Sequence, residues 1–516
     1  MNTPVYYPAL LALTPLFFLF AHNLSELSLL EQESFLRLGA PSAIILLCSW
    51  GMFRLSQRIF GTAQKAGIFT AMLWAFIFGY GYFYAILVEH YGMTVLLSMK
   101  GVHIGYNKSY LLGGLLCGLV ISYWLKRTTR NLDQVTRFLN RFAIILLALF
   151  CGQIMLYEGQ RIFRSPQGNS TPAFAQEFPR EMVSQSLPDI YYIILDSYAA
   201  NSVLRSEFNY DNHEFLAYLR EQGFYVAEQS QSNYPFTVLS LASSLNFDYL
   251  DALTNLVGTP TNDLSTAMDL IEKNAVMHFL KKYGYAYIHF NTIFAPTARN
   301  RFADWEVDCA RGFIKDRFLK LFVKMTVFDP IVRRFSGTKR EEIECQFSAL
   351  AEFSEKPGRR FVFAHLVIPH EPFVFLADGR EVEKTKQETY QGNRQYAPEG
   401  RQLYIQQLRY VNRKVQTLVE TILAHSQRPP IIILQADHGA RIPMERTPEP
   451  KWFSILNAYY FPEGTPPELY PSISPVNTFR ILLNRYFHTS YALLPDRRYY
   501  SDIYHTPYQF VEVPSE

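Results

Sequence analysis

The chain has 516 residues, of which 49 % are hydrophobic and 16 % aromatic, so its length allows two to four domains with a large core. The formal net charge of +3 gives no argument for a nucleic-acid partner. The five cysteines form neither a CxxC motif nor a Cys/His cluster, which leaves a zinc finger without support. Three of them lie within apolar runs, where they act as small hydrophobes, and only Cys309 and Cys345 belong to the polar part of the chain.

The first 157 residues contain five apolar runs. A helix that crosses a membrane needs about 20 mostly apolar residues, and Ala66–Val88 has no charged residue across its 23 positions. The other runs are shorter, or contain proline, and are Val5–Ala21, Gly39–Phe53, Ser109–Leu125 and Phe142–Tyr157. A single short run would fit a buried soluble helix equally well, but five together predict an α-helical membrane domain of about five spans.

Basic residues concentrate in two loops between these runs, and such loops stay in the cytoplasm. They are Arg54, Arg58 and Lys65 in one loop and Lys126, Arg127, Arg130, Arg137 and Arg141 in the other. Five spans place both loops on the same side. The pattern therefore predicts a multi-pass protein of the cell membrane, with everything after Tyr157 outside the cytoplasm, in the periplasm or the extracellular space. Export permits oxidation, so we expect Cys309 and Cys345 to form a disulfide.

The remainder of the chain is predicted to be a linker followed by an α/β domain. Residues 158–187 are polar and contain three prolines, which is typical of a linker, and residues 188–516 form the last domain. Four short apolar runs are predicted strands, namely Ile190–Leu195, Ala286–Phe290, Phe361–Val367 and Pro430–Leu434. Helices are predicted over Asn212–Gln222 and Ser265–Lys281. This alternation indicates a sheet covered by helices on both faces.

Polar residues follow three of the predicted strands, where ligands collect in α/β sheets. Asp196 directly follows the first strand, Asp437 and His438 follow PIIILQA, and His370 lies just beyond FVFAHLVIP. Two acids and a histidine are natural ligands for one divalent metal, with zinc or manganese favoured by the mixed oxygen and nitrogen set. Asp196 alone would more often be a turn or N-cap residue. Gly439 is expected to let the chain turn sharply after His438.

Thr237 lies in the segment SNYPFTVLSLASSL, near the predicted start of a helix. One interpretation is a threonine N-cap on a helix with a small-residue packing face. The other makes Thr237 a nucleophile, because a helix N-terminus favours negative charge and a neighbouring metal would lower the pKa of its hydroxyl. The sequence of this segment alone leaves both open.

Four segments in this order resemble the sulfatase-like branch of the alkaline phosphatase superfamily, which includes lipoteichoic acid synthases, phosphoethanolamine transferases and arylsulfatases. The segments are PDIYYIILDSY, NYPFTVLSLASSL, HLVIPHEPF and LQADHGA, which together anchor most of residues 188–461. The resemblance implies an alkaline-phosphatase-like catalytic domain behind the membrane anchor. It implies these metal ligands: Asp196, Thr237, Asp437 and His438.

The resemblance also implies that Thr237 is the nucleophile and that His370 meets the phosphate or sulfate of the substrate. Arg441 and His365 are weaker substrate-binding candidates, with a surface arginine and a core histidine as the alternatives. The chain departs from the transferases by placing Asp196 where they commonly have Glu. It departs from arylsulfatases by lacking their C/S-x-P-x-R motif around Thr237.

The function implied is transfer of a phospho-head-group, of the phosphoethanolamine or phosphoglycerol type, from a phospholipid through a covalent threonine intermediate to an envelope glycan or lipid. Two alternatives stay open. One is a phosphodiesterase or phosphatase that uses water as the acceptor, and the other is a catalytically inactive envelope sensor that keeps the fold.

Overall fold

The computed structural model describes residues 3–24, 36–90, 95–99, 102–163, 187–258, 261–309, 314, 316–356, 358–383, 397–441 and 449–514. The chain divides into two compact units. The first, called the helical unit below, comprises Met1–Asn169 and Gly312–Ser336; the second, the sheet unit, comprises Ser170–Arg311 and Gly337–Glu516. The predicted linker, residues 158–187, falls largely outside the described residues, and the predicted domain boundaries stay predictions.

The helices follow in chain order. They are α1 Tyr7–His22, α2 Leu36–Phe60, α3 Ala63–Tyr84, α4 Tyr106–Arg127, α5 Asp133–Phe163, α6 Asn201–Phe208, α7 His213–Glu221, α8 Thr237–Ser244, α9 Asp251–Val257, α10 Ser265–Glu272, α11 Ala275–Lys282, α12 Arg317–Lys324, α13 Asp329–Phe335, α14 Lys339–Ser354, α15 Ala397–His425 and α16 Pro475–Phe487. The strands are β1 Val95–Met99, β2 Val102–Gly105, β3 Ile190–Leu195, β4 Tyr225–Val226, β5 Ala286–Phe290, β6 Trp305–Val307, β7 Arg360–Leu366, β8 Ile431–Gln435, β9 Asn457–Tyr460, β10 Arg498–Asp502 and β11 Thr506–Val513.

Apolar helices dominate the N-terminal part of the helical unit, as predicted. In the described part of the chain, four helices are long and apolar enough to cross a membrane, and they are α2, α3, α4 and α5. The helix α1 has 16 residues, which span about 24 Å and fall short of the roughly 30 Å hydrocarbon core. The count is thus four by length, against the five expected. Outward-facing apolar side chains such as Leu47 and Leu156, 70 % and 69 % exposed, suit a lipid environment.

The sheet unit is built on a seven-stranded sheet with the order β4-β9-β8-β3-β7-β5-β6. The five strands from β8 to β6 run parallel, whereas β9 is antiparallel to β8 and β4 to β9. The four strands predicted from the sequence are the four adjacent strands β8, β3, β7 and β5. The sheet is therefore α/β as expected, with an antiparallel edge that the sequence did not indicate.

Both faces of the central strand β3 are buried, because its side chains alternate between two hydrophobic clusters. Tyr191, Ile193 and Leu195 belong to one cluster, and Tyr192 and Ile194 belong to the other. The strand pairs in parallel with β7 on one side and with β8 on the other. The carboxyl ends of these three strands therefore meet at one edge of the sheet, where the polar residues of the sequence analysis lie.

One predicted helix is wrong in its extent. The stretch Ser265–Lys281 forms two helices, α10 and α11, separated at Lys273 and Asn274. The buried Asn274 side chain accepts a hydrogen bond from the Met277 N–H and so caps the start of α11. Asparagine competes with a continuous helix in this way because its side chain replaces a backbone acceptor.

Candidate functional site

The two carboxylates of the site come from the ends of neighbouring strands. Asp196 follows β3, and its backbone is held by two hydrogen bonds: its N–H donates to Leu366 O at 3.0 Å, and its carbonyl accepts from the His370 N–H at 3.1 Å. Asp437 lies beyond β8 and accepts a hydrogen bond at Oδ1 from the Ser197 N–H, at 3.0 Å. Ser197 has a left-handed backbone (φ 65°), a conformation that concentrates at functional sites.

His365 completes a buried cluster with these acids. It lies within β7, and its Nε2 is 3.4 Å from Asp196 Oδ2. Asp196, His365 and Asp437 each offer a ligand atom, and these atoms all lie within 4.8 Å of one another. The sequence favoured a core histidine here. The side chain is indeed fully buried, but it faces the acids of the site.

His365 Nδ1 lies 2.8 Å from the Thr297 hydroxyl, to which it can donate. The Thr297 and Thr292 hydroxyls are 2.9 Å apart, and either can donate to the other. In the tautomer in which Nδ1–H donates to Thr297, the lone pair of the neutral imidazole is on Nε2, the atom that faces Asp196. A metal ion bound at Nε2 would select this tautomer.

The tautomer of His438 follows from a single hydrogen bond. Its Nδ1 lies 2.8 Å from the Gly439 carbonyl, which can only accept, so Nδ1 carries the proton. The lone pair on Nε2 then faces two carboxylates, at 3.6 Å from Asp196 Oδ1 and 3.5 Å from Asp437 Oδ2. The Nε2 atoms of His365 and His438 and the carboxylates of Asp196 and Asp437 therefore face the same small space.

This donor set fits a divalent metal ion. Asp196 Oδ1, Asp437 Oδ2 and His365 Nε2 are buried and have no hydrogen-bond partner among the described residues. The two carboxylate oxygens are acceptors, as is His365 Nε2 in the tautomer with Nδ1–H, and leaving buried acceptors without a partner costs roughly 1–3 kcal/mol each. A cation among them would remove this cost, and oxygen and imidazole nitrogen are the ligands that zinc and manganese use.

The electrostatics of the cluster agree with that fit. Burial alone would raise the pKa of Asp196, but the charge of the neighbouring His370 imidazole, the largest opposing cause, holds it well below its usual range. Burial and the Asp196 charge raise the pKa of Asp437. Burial lowers the pKa of His438 to about 3, with the Arg441 charge adding to the effect. His438 is therefore neutral at physiological pH, as a metal ligand must be.

Thr237 lies beside the acids and does not cap its helix. It is the first residue of α8, and Phe236 occupies the N-cap position, which removes the N-cap interpretation of the threonine. Its hydroxyl lies close enough to the Asp437 side chain to oppose, in part, the rise in the pKa of that carboxyl. The first N–H groups of a helix have no partner within the helix, so α8 directs positive potential at the hydroxyl.

Two further predicted residues line the same volume. Arg441 Nη2 is 3.4 Å from His438 Nε2, and its guanidinium lies over the Phe236 ring at 4.9 Å. The ring centroids of His370 and His438 are 6.3 Å apart. His370 donates from Nδ1 to Glu371 O at 2.7 Å, which leaves Nε2 available. The structure thus brings together all seven residues that the sequence proposed.

Gly439 lies in a tightly packed stretch of backbone directly after His438. It does not adopt a left-handed conformation. A Cβ at this position would lie 2.4 Å from the Lys451 carbonyl and 2.7 Å from that of Ser454, and the Gly439 N–H donates to Trp452 O at 2.6 Å. The residue is required for a close approach of two backbone segments, which holds His438 in place.

Lys339 was missed by the sequence analysis. It is the first residue of α14, and its Nζ donates to His370 O at 2.7 Å and to Pro372 O at 3.3 Å. Desolvation lowers the pKa of the Lys339 ammonium to about 8, although the Asp196 charge opposes this effect. The lysine therefore holds the backbone of the His370 segment. Its signal in the sequence was only its place inside the capping box Thr338–Glu341, which predicts a helix start and no site.

Comparisons with known proteins agree with this architecture. The sulfatase family matches residues 188–472, more than half of the chain. None of the curated proteins matches the chain. The C-terminal periplasmic domain of EptC from Escherichia coli, in complex with zinc, is 14 % identical with a TM-score of 0.43, and the match covers 64 % of this chain and 93 % of that one.

Two other solved structures give similar values. The C-terminal periplasmic domain of the phosphoethanolamine transferase EptC from Campylobacter jejuni is 13 % identical, with a TM-score of 0.37 and coverages of 60 % and 92 %. A protein of the alkaline phosphatase superfamily from Vibrio parahaemolyticus is 13 % identical, with a TM-score of 0.38 and coverages of 63 % and 78 %. These likenesses are weak, and the assignment rests on the family match. The chain belongs to the sulfatase family and is an enzyme of the sulfatase-like phosphotransferase and hydrolase type.

Proposed function

We propose that this enzyme transfers a phospho-head-group from a phospholipid, through a covalent intermediate on Thr237, to a glycan or lipid of the cell envelope. The observation that carries the proposal is the position of the Thr237 hydroxyl, which lies at a helix N-terminus and close enough to the Asp437 carboxyl to affect its pKa. That carboxylate belongs to the buried cluster of acceptor atoms. A hydroxyl is a weak nucleophile, and this arrangement supplies the activation that it needs.

The metal in this proposal is held by Asp196, His365, Asp437 and His438, with Thr237 as an additional ligand. A bound zinc or manganese ion would lower the pKa of the Thr237 hydroxyl and offset negative charge on the phosphoryl oxygens. The second contacts of both histidines, Nδ1–H to Thr297 and to Gly439, fix the two rings with their lone pairs directed inward.

The residues of the chain divide the first step among them. Thr237 attacks phosphorus with its hydroxyl oxygen, the bond to the lipid oxygen breaks, and diacylglycerol leaves with a proton. The α8 N-terminus and the Arg441 guanidinium stabilise charge on the non-bridging oxygens, and such stabilisation usually contributes most to catalysis in transfers of this kind. His370 contacts the same phosphoryl group through Nε2, which its Nδ1 contact with Glu371 O leaves available. Lys339 fixes the backbone that carries His370.

The second step repeats the displacement with an acceptor hydroxyl. It attacks the phosphorus of the phosphothreonine diester, the Thr237–phosphorus bond breaks, and Thr237 recovers its proton. Water in place of the acceptor hydroxyl would make the enzyme a phosphodiesterase. Membrane-crossing helices in the same chain favour a lipid donor, because they keep the enzyme at the surface in which that donor resides.

An assay on the full chain in lipid nanodiscs tests the proposal. Discs containing phospholipid with an isotope-labelled head group are supplied with zinc or manganese and with a detergent extract of envelope glycolipids. We expect diacylglycerol release and label on the acceptor. Thr237→Ala should abolish both, and Ser243→Ala should leave both unchanged, because that serine lies on the same helix but donates to Asp248 O, away from the cluster.

Each outcome of the assay decides between functions. Free head group in place of labelled acceptor would replace the transferase by the hydrolase. Diacylglycerol release that persists in Thr237→Ala would contradict the proposed intermediate.

A further inference from the structure

The helices α12 and α13 follow the predicted last span by more than 150 residues in the sequence, yet they belong to the helical unit. We call residues 317–335 the interface hairpin. Phe318 and Phe322 of α12 are buried, at 2 % and 9 % exposure. They pack on Phe20 of α1 and Phe78 of α3, with ring centroids 5.5 Å apart in each pair. An aromatic side of the hairpin is therefore used for docking on the apolar helices.

Backbone hydrogen bonds fix the hairpin on α3. The Val327 N–H donates to Ile77 O at 3.0 Å, and the Gly81 N–H donates to Met325 O at 3.1 Å. A Cβ at Gly81 would lie 2.5 Å from Met325 Cα, so only glycine permits this approach. Backbone hydrogen bonds and side-chain packing therefore both hold the hairpin in the helical unit.

The docking site lies near the ends of two apolar helices. Phe20 is in the last turn of α1, and Gly81 is in the last turn of α3, beyond which the candidate membrane span continues to Leu87. Tyr80 and Tyr84 lie on either side of Gly81 in the chain, and the Arg333 guanidinium of the hairpin lies 5.8 Å from the Tyr84 ring centroid. Tyrosine and arginine near the end of a membrane-crossing helix are typical of the boundary between hydrocarbon and headgroups.

A further set of apolar side chains on the hairpin is exposed. Leu321, Phe328, Ile331 and Phe335 are 41 %, 50 %, 58 % and 71 % exposed. Phe328, Ile331 and Phe335 recur at helical spacing and so share one face of α13. We call this face the apolar edge of the hairpin, and a soluble protein rarely leaves such an edge open to water.

The charges of the hairpin have one predominant sign. Residues 317–335 contain five basic residues, Arg317, Lys320, Lys324, Arg333 and Arg334, and one acidic residue, Asp329. The single acid is paired with Arg333 at 2.7 Å. Apolar residues together with lysine and arginine on a short helix are the pattern of a helix that lies in a lipid interface.

We propose that the interface hairpin lies in the headgroup layer of the membrane, with its apolar edge inserted among the acyl chains and its basic residues bound to lipid phosphates. The partner is a phospholipid surface. This placement involves no catalytic step and is separate from the proposed function. The disulfide between Cys309 and Cys345 joins the two ends of the chain segment that carries the hairpin.

Spin labels on the full chain in phospholipid nanodiscs test this placement. The free cysteines Cys48, Cys117 and Cys151 are first replaced by alanine. Nitroxides are then attached to Ile331→Cys or Phe335→Cys. Leu47→Cys serves as the lipid-facing reference and Leu256→Cys, which is 68 % exposed in the sheet unit, as the aqueous reference. We expect both hairpin labels to collide with dissolved oxygen in preference to a water-soluble nickel chelate, as at position 47.

Two results would overturn the proposal. Nickel collisions at positions 331 and 335 as frequent as at position 256 would place the edge in water. Exclusion of both reagents, or dipolar broadening between labels, would show that protein covers it, either the sheet unit or a second copy. Neither result depends on turnover, so the outcome is separable from that of the catalytic assay.

Discussion

At the level of single residues, a site residue could be predicted from the sequence when it directly follows a strand and could not when it lies inside one. Asp196, Asp437 and His438 follow predicted strands, and in α/β sheets that place alone marks a candidate ligand. His365 lies inside β7, where an isolated histidine indicates core packing. Its meeting with Asp196 depends on the parallel pairing of β7 with β3, which brings Ile194 opposite His365. Such long-range pairing has no local signal.

The metal site gives a prediction at this scale. Asp437→Ala and His365→Ala should each lower the affinity for zinc or manganese by more than the roughly 10–100-fold typical of residues behind the ligands, because each removes a ligand atom. The measurement is metal content of the purified full chain after dialysis against a weak chelator. His289→Ala is the matched control, since His289 is also buried in a sheet strand but lies outside the cluster. Normal metal content in His365→Ala would remove that histidine from the ligand set.

At the scale of elements, strands were easier to predict than helix limits. Continuous apolar runs identified β3, β5, β7 and β8 to within one residue, because strands buried on both faces need apolar side chains throughout. The split between α10 and α11 was missed, because Asn274 looks like an ordinary polar position until its side chain is seen to cap. The short strand β4 contains too few residues for a period to show.

The cap gives the prediction at this scale. Asn274→Ala should destabilise the start of α11 by about 1 kcal/mol, the typical cost of losing such a cap. Hydrogen exchange of the full chain should show faster exchange at the Met277 amide, which loses its acceptor. Lys273→Gln is the control, because this neighbouring exposed lysine only makes a surface ion pair with Asp269. Unchanged exchange at Met277 in Asn274→Ala would mean that the cap does not hold the helix.

At the scale of the whole molecule, the division into an apolar helical part and an α/β part was predictable from composition, whereas the membership of Gly312–Ser336 in the helical unit was not. The return of the chain to the helical unit depends on contacts between residues that are distant in sequence, such as Phe318 and Phe20. Orientation across the membrane still rests on the basic loops.

Reporter fusions test that orientation. An export-dependent reporter fused after Arg130 should be inactive and one after Ser165 active, because Arg130 lies in a basic loop and Ser165 follows the last apolar helix. A fusion after Lys65, in the other basic loop, should also be inactive. A fusion after Lys100, in an alternate loop, should be active. Activity at Arg130 without activity at Ser165 would invert the topology and place the candidate site in the cytoplasm.

The disulfide has its own test. The structure joins Cys309 to Cys345 and leaves Cys48, Cys117 and Cys151 free. Thiol labelling of the denatured, unreduced full chain should therefore count three cysteines, rising to five after reduction. Removing the bridge with Cys309→Ser and Cys345→Ser together should cost about 2–4 kcal/mol of stability. Five labels before reduction would contradict the disulfide. They would also remove one argument for export, because a disulfide needs an oxidising compartment.

Intact mass spectrometry of the full chain shows whether Thr237 carries the transferred group. After brief exposure to phospholipid and metal, the native protein should gain the mass of one phospho-head-group. Thr237→Ser should retain some of this adduct, since serine offers the same attacking oxygen, and Thr237→Ala should show none. Alanine should leave the fold intact, because Phe236 and not Thr237 occupies the N-cap of α8. An alanine variant that still forms the adduct and turns over lipid at the native rate would contradict the account.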